Sequence, residues 1–150
     1  MNFYVLRSIE FGPTVLERIL AQIPEEQYDA RPDPDRFTLR EAVAHLADWE
    51  SIFLDRMRQV LDSPGCLIES IDEEELAVER EYAKQDVREN LAKFKSRRAE
   101  TTQFVRSLTP DDFKKTCRRD QYPDMTLEDW ANLLVCHDMW HLEHASESLT

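Results

Sequence analysis

The segment from Thr126 to His144 constrains this chain most, because its apolar residues follow the spacing of a buried helix face and then give way to histidines. Positions three and four apart lie on one face of an α-helix. The members of this seam alternate between those two steps: Leu127, Trp130, Leu134, His137, His141 and His144. The sequence therefore predicts a helix whose buried face changes from apolar side chains to imidazoles.

An imidazole in a buried seam needs a partner, because burying a polar group without one is unfavourable. One interpretation is that the histidines are solvated or hydrogen-bonded within the core. The other is that they bind a metal ion, for which neutral imidazole is a common ligand. His45 favours the metal, since it also lies in a helical pattern and helix bundles build metal sites from facing helices.

Helical patterns cover most of the chain. Helices are predicted over Asn2–Ile23, from Thr38 to about Leu61, over Asp86–Leu108, and from Thr126 onward. The chain has only two glycines, and its Val and Ile residues form no short alternating runs, which argues against a sheet. The predicted fold is an all-α four-helix bundle with long connecting loops, forming a single domain over residues 1–150.

Details of the boundaries are also predictable. The Gly-Pro pair at 12–13 leaves the phase of the first apolar stripe unchanged, so we expect one kinked helix. Thr38 and Glu41 have the spacing of a capping box at the start of the second helix. The acidic stretch 72–82 is predicted to be a short helix or the first turn of a longer one, with solvated side chains. The polar stretch 114–125 is predicted to be loop.

The seam of the third predicted helix contains one cation, Arg98. A cation on a core face is expected to be paired or functional. The favoured explanation is an ion pair with a neighbouring carboxylate. The alternative is that Arg98 points into a cavity and binds an anionic group of a ligand.

The net charge of −12 argues against nucleic acid as a partner, because a polyanionic backbone would be repelled. The same repulsion disfavours an anionic membrane surface, and no apolar run is long enough to span a bilayer. The three cysteines, Cys66, Cys117 and Cys136, form no C-x-x-C pair. Together with the lack of a signal-peptide pattern, this predicts a cytoplasmic protein with reduced thiols.

Two segments of the chain are distinctive: the first runs from residue 31 to residue 50 and ends in His-Leu-Ala-Asp-Trp-Glu, and the second is His-Asp-Met-Trp-His at 137–141. Together they resemble the DinB-like (DinB/YfiT) superfamily. The resemblance extends over nearly the whole chain and implies a four-helix bundle. It also implies that His45, His137 and His141 bind a divalent metal ion and that the protein is a homodimer.

His144 stands where members of that family often carry glutamine. It could support the ligands, act as a fourth ligand or lie on the surface, and the supporting role is favoured. Three imidazoles leave a metal such as zinc with an open coordination position, the arrangement of catalytic rather than structural sites. The ligand set suits zinc, nickel, copper and iron equally well.

Other polar and aromatic residues flank the predicted ligands. Asp48 follows His45 by three residues, so it could be a general base, a partner orienting an imidazole, or a surface carboxylate. Asp138 takes the place of the glutamate in the metalloprotease pattern H-E-x-x-H, a parallel of little weight. Trp49 and Trp140 could line a substrate pocket, although core packing is the simpler role.

Two functions are predicted, and the resemblance implies the first of them. The first is a metal-dependent enzyme acting on a small molecule: a thiol S-transferase or isomerase using a low-molecular-weight thiol such as bacillithiol or mycothiol, or a hydrolase. The second is a non-catalytic metal-binding stress-response domain, in which the metal mainly stabilises the bundle. An enzyme needs an open metal position beneath a cavity, whereas in the second case His144 or a carboxylate fills that position.

Overall fold

The computed structural model describes residues 1–149, and within them it contains five α-helices. In chain order they are α1 (Phe3–Leu20), α2 (Leu39–Asp62), α3 (Glu73–Glu79), α4 (Val87–Ser107) and α5 (Leu127–Ser146). The four long helices form a bundle, in which α1 and α2 each pack against both α4 and α5. Consecutive long helices α1 and α2 therefore lie diagonally across the bundle. The predicted four-helix bundle is confirmed.

A small sheet closes one end of the core. Its strands are β1 (Leu67–Ile68), β2 (Thr116–Arg119) and β3 (Met125–Thr126), with β2 in the middle, parallel to β1 and antiparallel to β3. The prediction that 114–125 is loop was wrong at β2 and at Met125, where β3 begins. Strands of two to four residues are too short to display an alternating pattern, so they pair only because the bundle brings them together.

Side chains at the helix starts satisfy backbone amides that have no partner within the helix. Thr38 and Glu41 exchange the two hydrogen bonds of a capping box at the start of α2, as predicted. Thr126 and Asp129 form the same arrangement at α5, and the Asp86 carboxylate caps α4. The caps at Thr38 and Thr126 mark where the two histidine-bearing helices begin.

The apolar half of the α5 seam lies in the centre of the bundle. Leu127, Trp130 and Leu134 are completely buried, and they pack in one cluster with Phe53 and Met57 of α2. The histidines continue this seam along α5. The predicted change from apolar side chains to imidazoles on one buried face is therefore present in the structure.

The Gly-Pro pair in α1 accommodates a cation rather than ending the helix. Pro13 has no N–H, so the carbonyl of Ile9, four residues earlier, receives no helical hydrogen bond. Arg98 donates from Nη1 to that carbonyl at 2.8 Å. At Gly12 a Cβ atom would lie 2.2 Å from Asp138 Oδ2 and 2.8 Å from Arg98 Nη1. The pair thus leaves both the room and the acceptor for a buried guanidinium.

Arg98 is the centre of an ionic network that contacts all four long helices. It is 2% exposed and donates to both carboxylate oxygens of Glu50, at 2.8 and 2.7 Å, and of Asp138, at 2.5 and 2.9 Å. Arg98 lies on α4, Glu50 on α2, Asp138 on α5 and Ile9 on α1. The structure therefore shows Arg98 in ion pairs with two carboxylates, Glu50 and Asp138.

Two predictions concern the whole chain: that no segment spans a membrane, and that the chain forms a single domain. Within residues 1–149, no helix combines the length and the apolar character needed to cross a bilayer. The single domain was predicted to extend to residue 150, which lies outside the described residues, and its extent stays a prediction.

Candidate metal centre

Three histidines from two helices converge inside the bundle. His45 comes from α2, and His137 and His141 come from α5. One ring nitrogen of each belongs to a set whose members all lie within 4.8 Å of one another. The Nε2 atoms of His45 and His137 are 2.8 Å apart. The structure therefore brings the three predicted residues together, while their role as ligands stays a prediction.

These imidazoles are held in the neutral form. His45 is fully buried and His141 is 7% exposed, whereas His137 is partly exposed. Burial is the largest cause that lowers the pKa of all three imidazoles, and neighbouring imidazoles and arginines add to it, so that the pKa is about 3 for His137 and about 4 for His141. A neutral ring retains the lone pair that binds a metal ion.

The hydrogen bonding of the cluster is incomplete without a further group. Among the described residues, Nδ1 of His45 and Nδ1 of His141 are buried and have no hydrogen-bond partner. Buried polar atoms in folded proteins almost always have one. The cluster also joins nitrogen lone pairs from three rings, which a divalent metal would accept. The residues present therefore fit a metal ion.

Aromatic rings surround the histidines. Phe37 and Trp49 lie 5.2 and 5.5 Å from the ring of His45, and Phe53 lies 5.2 Å from the ring of His137, measured between centroids. Trp49 is 4% exposed. These rings shield the imidazoles from water and restrict their orientation.

A cavity of about 340 Å³ opens beside His137. Its walls include Trp49, Phe53, Arg56, Glu73, Arg119 and Leu133. Trp49 therefore packs in the core and also lines a pocket. Trp140 is 67% exposed, so it does not pack in the core, and its role in lining a pocket stays a prediction. One helical step of about 100° from His141 is enough to turn it to the surface.

Glu73 is the carboxylate that the sequence analysis missed. Its Oε2 atom lies 4.0 Å from Nε2 of His45. The side chain of Glu73 is half exposed; its partial burial raises the pKa of the carboxyl group, and the nearby guanidinium of Arg56 opposes that shift. The sequence held a signal: Leu76, three residues later, is the buried residue of α3, so both lie on its inner face.

Asp48 lies in a different network. Its carboxylate accepts hydrogen bonds from the Arg80 guanidinium and, at 2.6 Å, from the Tyr82 hydroxyl. Among the described residues no hydrogen bond joins Asp48 to an imidazole, so it does not orient one in this structure. Its role as a general base stays a prediction.

Among the described residues, neither Asp138 nor His144 belongs to the group of side chains that could share a metal ion. The Asp138 carboxylate is held by Arg98, so the position next to His137 serves the ionic network of the bundle. His144 is 9% exposed, but within residues 1–149 its ring is not part of the group that could share a metal. The predicted supporting role of His144 stays open, and its role as a fourth ligand has no geometric support.

Comparisons with known proteins agree with this fold. YfiT from Bacillus subtilis, a solved structure described as a probable metal-dependent hydrolase with an unusual four-helix bundle topology, is similar with a TM-score of 0.90 and 25% sequence identity. The match covers 97% of this chain and 83% of that chain. None of the curated proteins compared with the chain gives a significant match. The family model of the DinB superfamily matches residues 8–145, and the chain therefore belongs to that superfamily.

Proposed function

We propose that this protein is a metal-dependent hydrolase of small molecules, in which His45, His137 and His141 hold a divalent metal ion. The observation that carries the proposal is the convergence of three neutral imidazoles, one of which, His137, lines a cavity. His137 is partly exposed and lines that cavity, which gives a small molecule access to the cluster. The similarity to YfiT, itself described as a probable metal-dependent hydrolase, supports the same reaction class.

Residues around the cluster supply the remaining requirements of hydrolysis. When bound, a divalent metal supplies Lewis-acid activation of water and of the bond to be cleaved. Glu73, 4.0 Å from His45 and on the cavity wall, is the carboxylate positioned to take a proton from the attacking water. Trp49 and Phe53 form apolar walls that orient a substrate and limit bulk water.

Metal content tests the centre directly. Protein purified without a His-tag should contain close to one equivalent of divalent metal, and the double variant His137→Ala/His141→Ala should contain none, because two of three ligands are removed. Elemental analysis also identifies the metal, for which zinc, nickel and iron stay predictions. Cys136→Ala is the matched control, since it removes an exposed thiol of the same helix that lies outside the cluster. Unchanged metal content in the double variant would contradict the site.

Activity is the second part of the test. The metal-loaded protein should hydrolyse at least one member of a panel of chromogenic esters, amides and phosphoesters, and the double histidine variant should hydrolyse none. A protein that binds metal, melts at a lower temperature without it and is inactive throughout would support the non-catalytic alternative. The thiol-transferase alternative stays a prediction from family resemblance, checked by adding several low-molecular-weight thiols with an electrophile to the same panel.

Assembly and location stay predictions as well. The family resemblance predicts a homodimer, which sedimentation equilibrium of the metal-loaded protein would measure. The cytoplasmic location follows from the sequence argument alone, and cell fractionation would check it.

A further inference from the structure

Two guanidinium groups face the cavity beside His137 without a carboxylate partner. Within residues 1–149 two arginines are buried, Arg56 and Arg98. Arg98, 2% exposed, is neutralised by two carboxylates, whereas Arg56, 8% exposed, has no carboxylate within 4.0 Å among the described residues. Arg119 lines the same cavity and also lacks a carboxylate partner in this part of the chain. Burial of an uncompensated cation is costly, so this pair needs an explanation.

The composition of the chain makes the pair more unusual. Acidic residues outnumber basic ones by 31 to 19, so carboxylates are abundant. Burial and the positive charge of Arg119 both lower the pKa of Arg56, which shows that the two cations repel each other. Glu73 and Asp120 offset this only in part: Glu73 faces His45, and both oxygens of Asp120 accept hydrogen bonds from Ser70. An anion between the two guanidiniums would remove the repulsion.

Aromatic rings hold both guanidiniums in place. The Arg56 guanidinium lies 5.3 Å from the centroid of Trp49 and 5.5 Å from that of Trp130. The Arg119 guanidinium lies 4.3 Å from Tyr122 and 5.3 Å from the same Trp130 ring. Stacking on a ring uses the face of a guanidinium and leaves its edge N–H groups free to donate. Positions set in advance in this way favour binding of a planar oxyanion.

Few of those donors are used within the protein. Arg56 donates from Nη2 to the carbonyl oxygen of Glu69 at 3.0 Å. Arg119 donates from Nη1 to the Met125 sulfur at 3.1 Å, and a thioether is a weak acceptor. The described residues provide no other hydrogen bonds to these guanidiniums. Donors on each side chain therefore remain available at the cavity.

We propose that Arg56 and Arg119 form the subsite for a carboxylate of the substrate. The apolar body of that substrate would pack on Trp49, Phe53 and Leu133 in the same cavity, with its reacting group towards His137. The substrate class is then a small apolar acid, such as an aromatic carboxylic acid bearing a hydrolysable group, which a cavity of about 340 Å³ accommodates. The reaction assigned to this acid rests on the proposed hydrolase function.

The test compares two probes of the same shape and different charge. Benzoate and neutral benzamide are titrated into the metal-free protein by calorimetry, so that a metal ion cannot be the site of the carboxylate. Benzoate should bind at least about tenfold more tightly than benzamide, because a charge-assisted hydrogen bond is worth at least that factor. Arg56→Gln and Arg119→Gln should each remove most of this preference.

Arg118→Gln is the matched control, since it removes the same charge from the neighbouring position of β2, where Arg118 is exposed and donates to the Gly65 carbonyl. It should leave the preference for benzoate unchanged. Arg119 is partly exposed, so Arg119→Gln keeps the test valid if the buried Arg56→Gln variant fails to fold. Equal binding of the two probes, no binding of benzoate, or an equal loss in Arg118→Gln would overturn the subsite.

The two proposals fail in different ways. If benzoate binds as expected but the protein holds no metal and hydrolyses nothing, the subsite stands and the hydrolase proposal fails. If the protein holds metal and hydrolyses neutral substrates but shows no preference for benzoate, the subsite fails and the hydrolase proposal stands.

Discussion

Glu73 differs from the two glutamates that follow it only in the direction of its side chain. Asp72 caps α3 by accepting hydrogen bonds from the amides of Glu74 and Glu75, which sets the phase of this short helix. Leu76 is then buried, and Glu73 lies on the same inner face beside His45. A charge run that is otherwise solvated thus contributes one carboxylate to the candidate site.

Replacing Glu73 with glutamine should separate the two possible roles of its carboxylate. If Glu73 is a general base, Glu73→Gln should lower the hydrolytic rate at least about 100-fold while the metal content stays the same. Glu74→Gln, in the same acidic turn, should change neither quantity and serves as the control. Loss of metal from Glu73→Gln would instead make Glu73 a ligand and favour a structural metal.

Gly12 is required by what it contacts rather than by its backbone conformation. A methyl group there would lie 2.2 Å from Asp138 Oδ2, inside the buried network of Arg98. Gly12→Ala should therefore destabilise the protein by about 1–3 kcal/mol, even though alanine favours a helix by about 1 kcal/mol over glycine. Urea unfolding measures the change. Ser8→Ala, at an exposed position of α1, is the control and should stay within about 0.5 kcal/mol.

At the scale of elements, the long helices meet through one cation as well as through apolar packing. Pro13 leaves the Ile9 carbonyl of α1 free, and Arg98 of α4 uses it together with carboxylates from α2 and α5. A break in the helical pattern of α1 is thus matched by a cation in the pattern of α4. The proline in α1 and the arginine in α4 are each unexpected within their own helix, and only their contact with each other accounts for them.

Removing this cation should weaken the contacts among all four helices. Arg98→Met should lower the free energy of unfolding by about 3–5 kcal/mol, because it leaves two buried carboxylates without a partner. The exposed pair of Arg88 with Glu25 provides the comparison, since Arg88→Met should cost less than about 1 kcal/mol. A stable Arg98→Met protein with altered ligand binding would favour the alternative in which Arg98 binds an anion.

The helices could be predicted from sequence because their periodicity is a local property. The capping box at Thr38 was correct, and α1 ended at Leu20 rather than at the predicted Ile23, which is nonetheless 4% exposed. The strands could not be predicted. Leu67–Ile68 and Thr116–Arg119 pair across a long separation in the chain, and that pairing depends on how α2 and α5 hold their ends.

For the whole molecule, the buried imidazoles predict how stability depends on pH. In the metal-free folded protein the pKa values of His137 and His141 are about 3 and about 4, whereas in the unfolded chain they return to the ordinary value near 6.5. Between these values the unfolded chain binds more protons, so acidification favours unfolding. The free energy of unfolding should therefore fall as the pH is lowered from 7 to 5.

The variant His137→Gln/His141→Gln should show a shallower fall over the same range, because two of the responsible groups are gone. Urea unfolding of both metal-free proteins at pH 7, 6 and 5 measures the difference. The range stops at pH 5 so that carboxylates contribute little. Identical slopes for the two proteins would show that these imidazoles do not account for the dependence.

Spacing along the chain was enough to predict the helices, the buried face of α5 and the histidines on it, because residues three and four apart must share a helix face whatever surrounds them. Only the tertiary structure could place Glu73 beside His45 and bring Arg56 and Arg119 to one cavity. These residues lie on separate elements, far apart in sequence. Their meeting depends on how the helices and strands pack, and no local pattern encodes that.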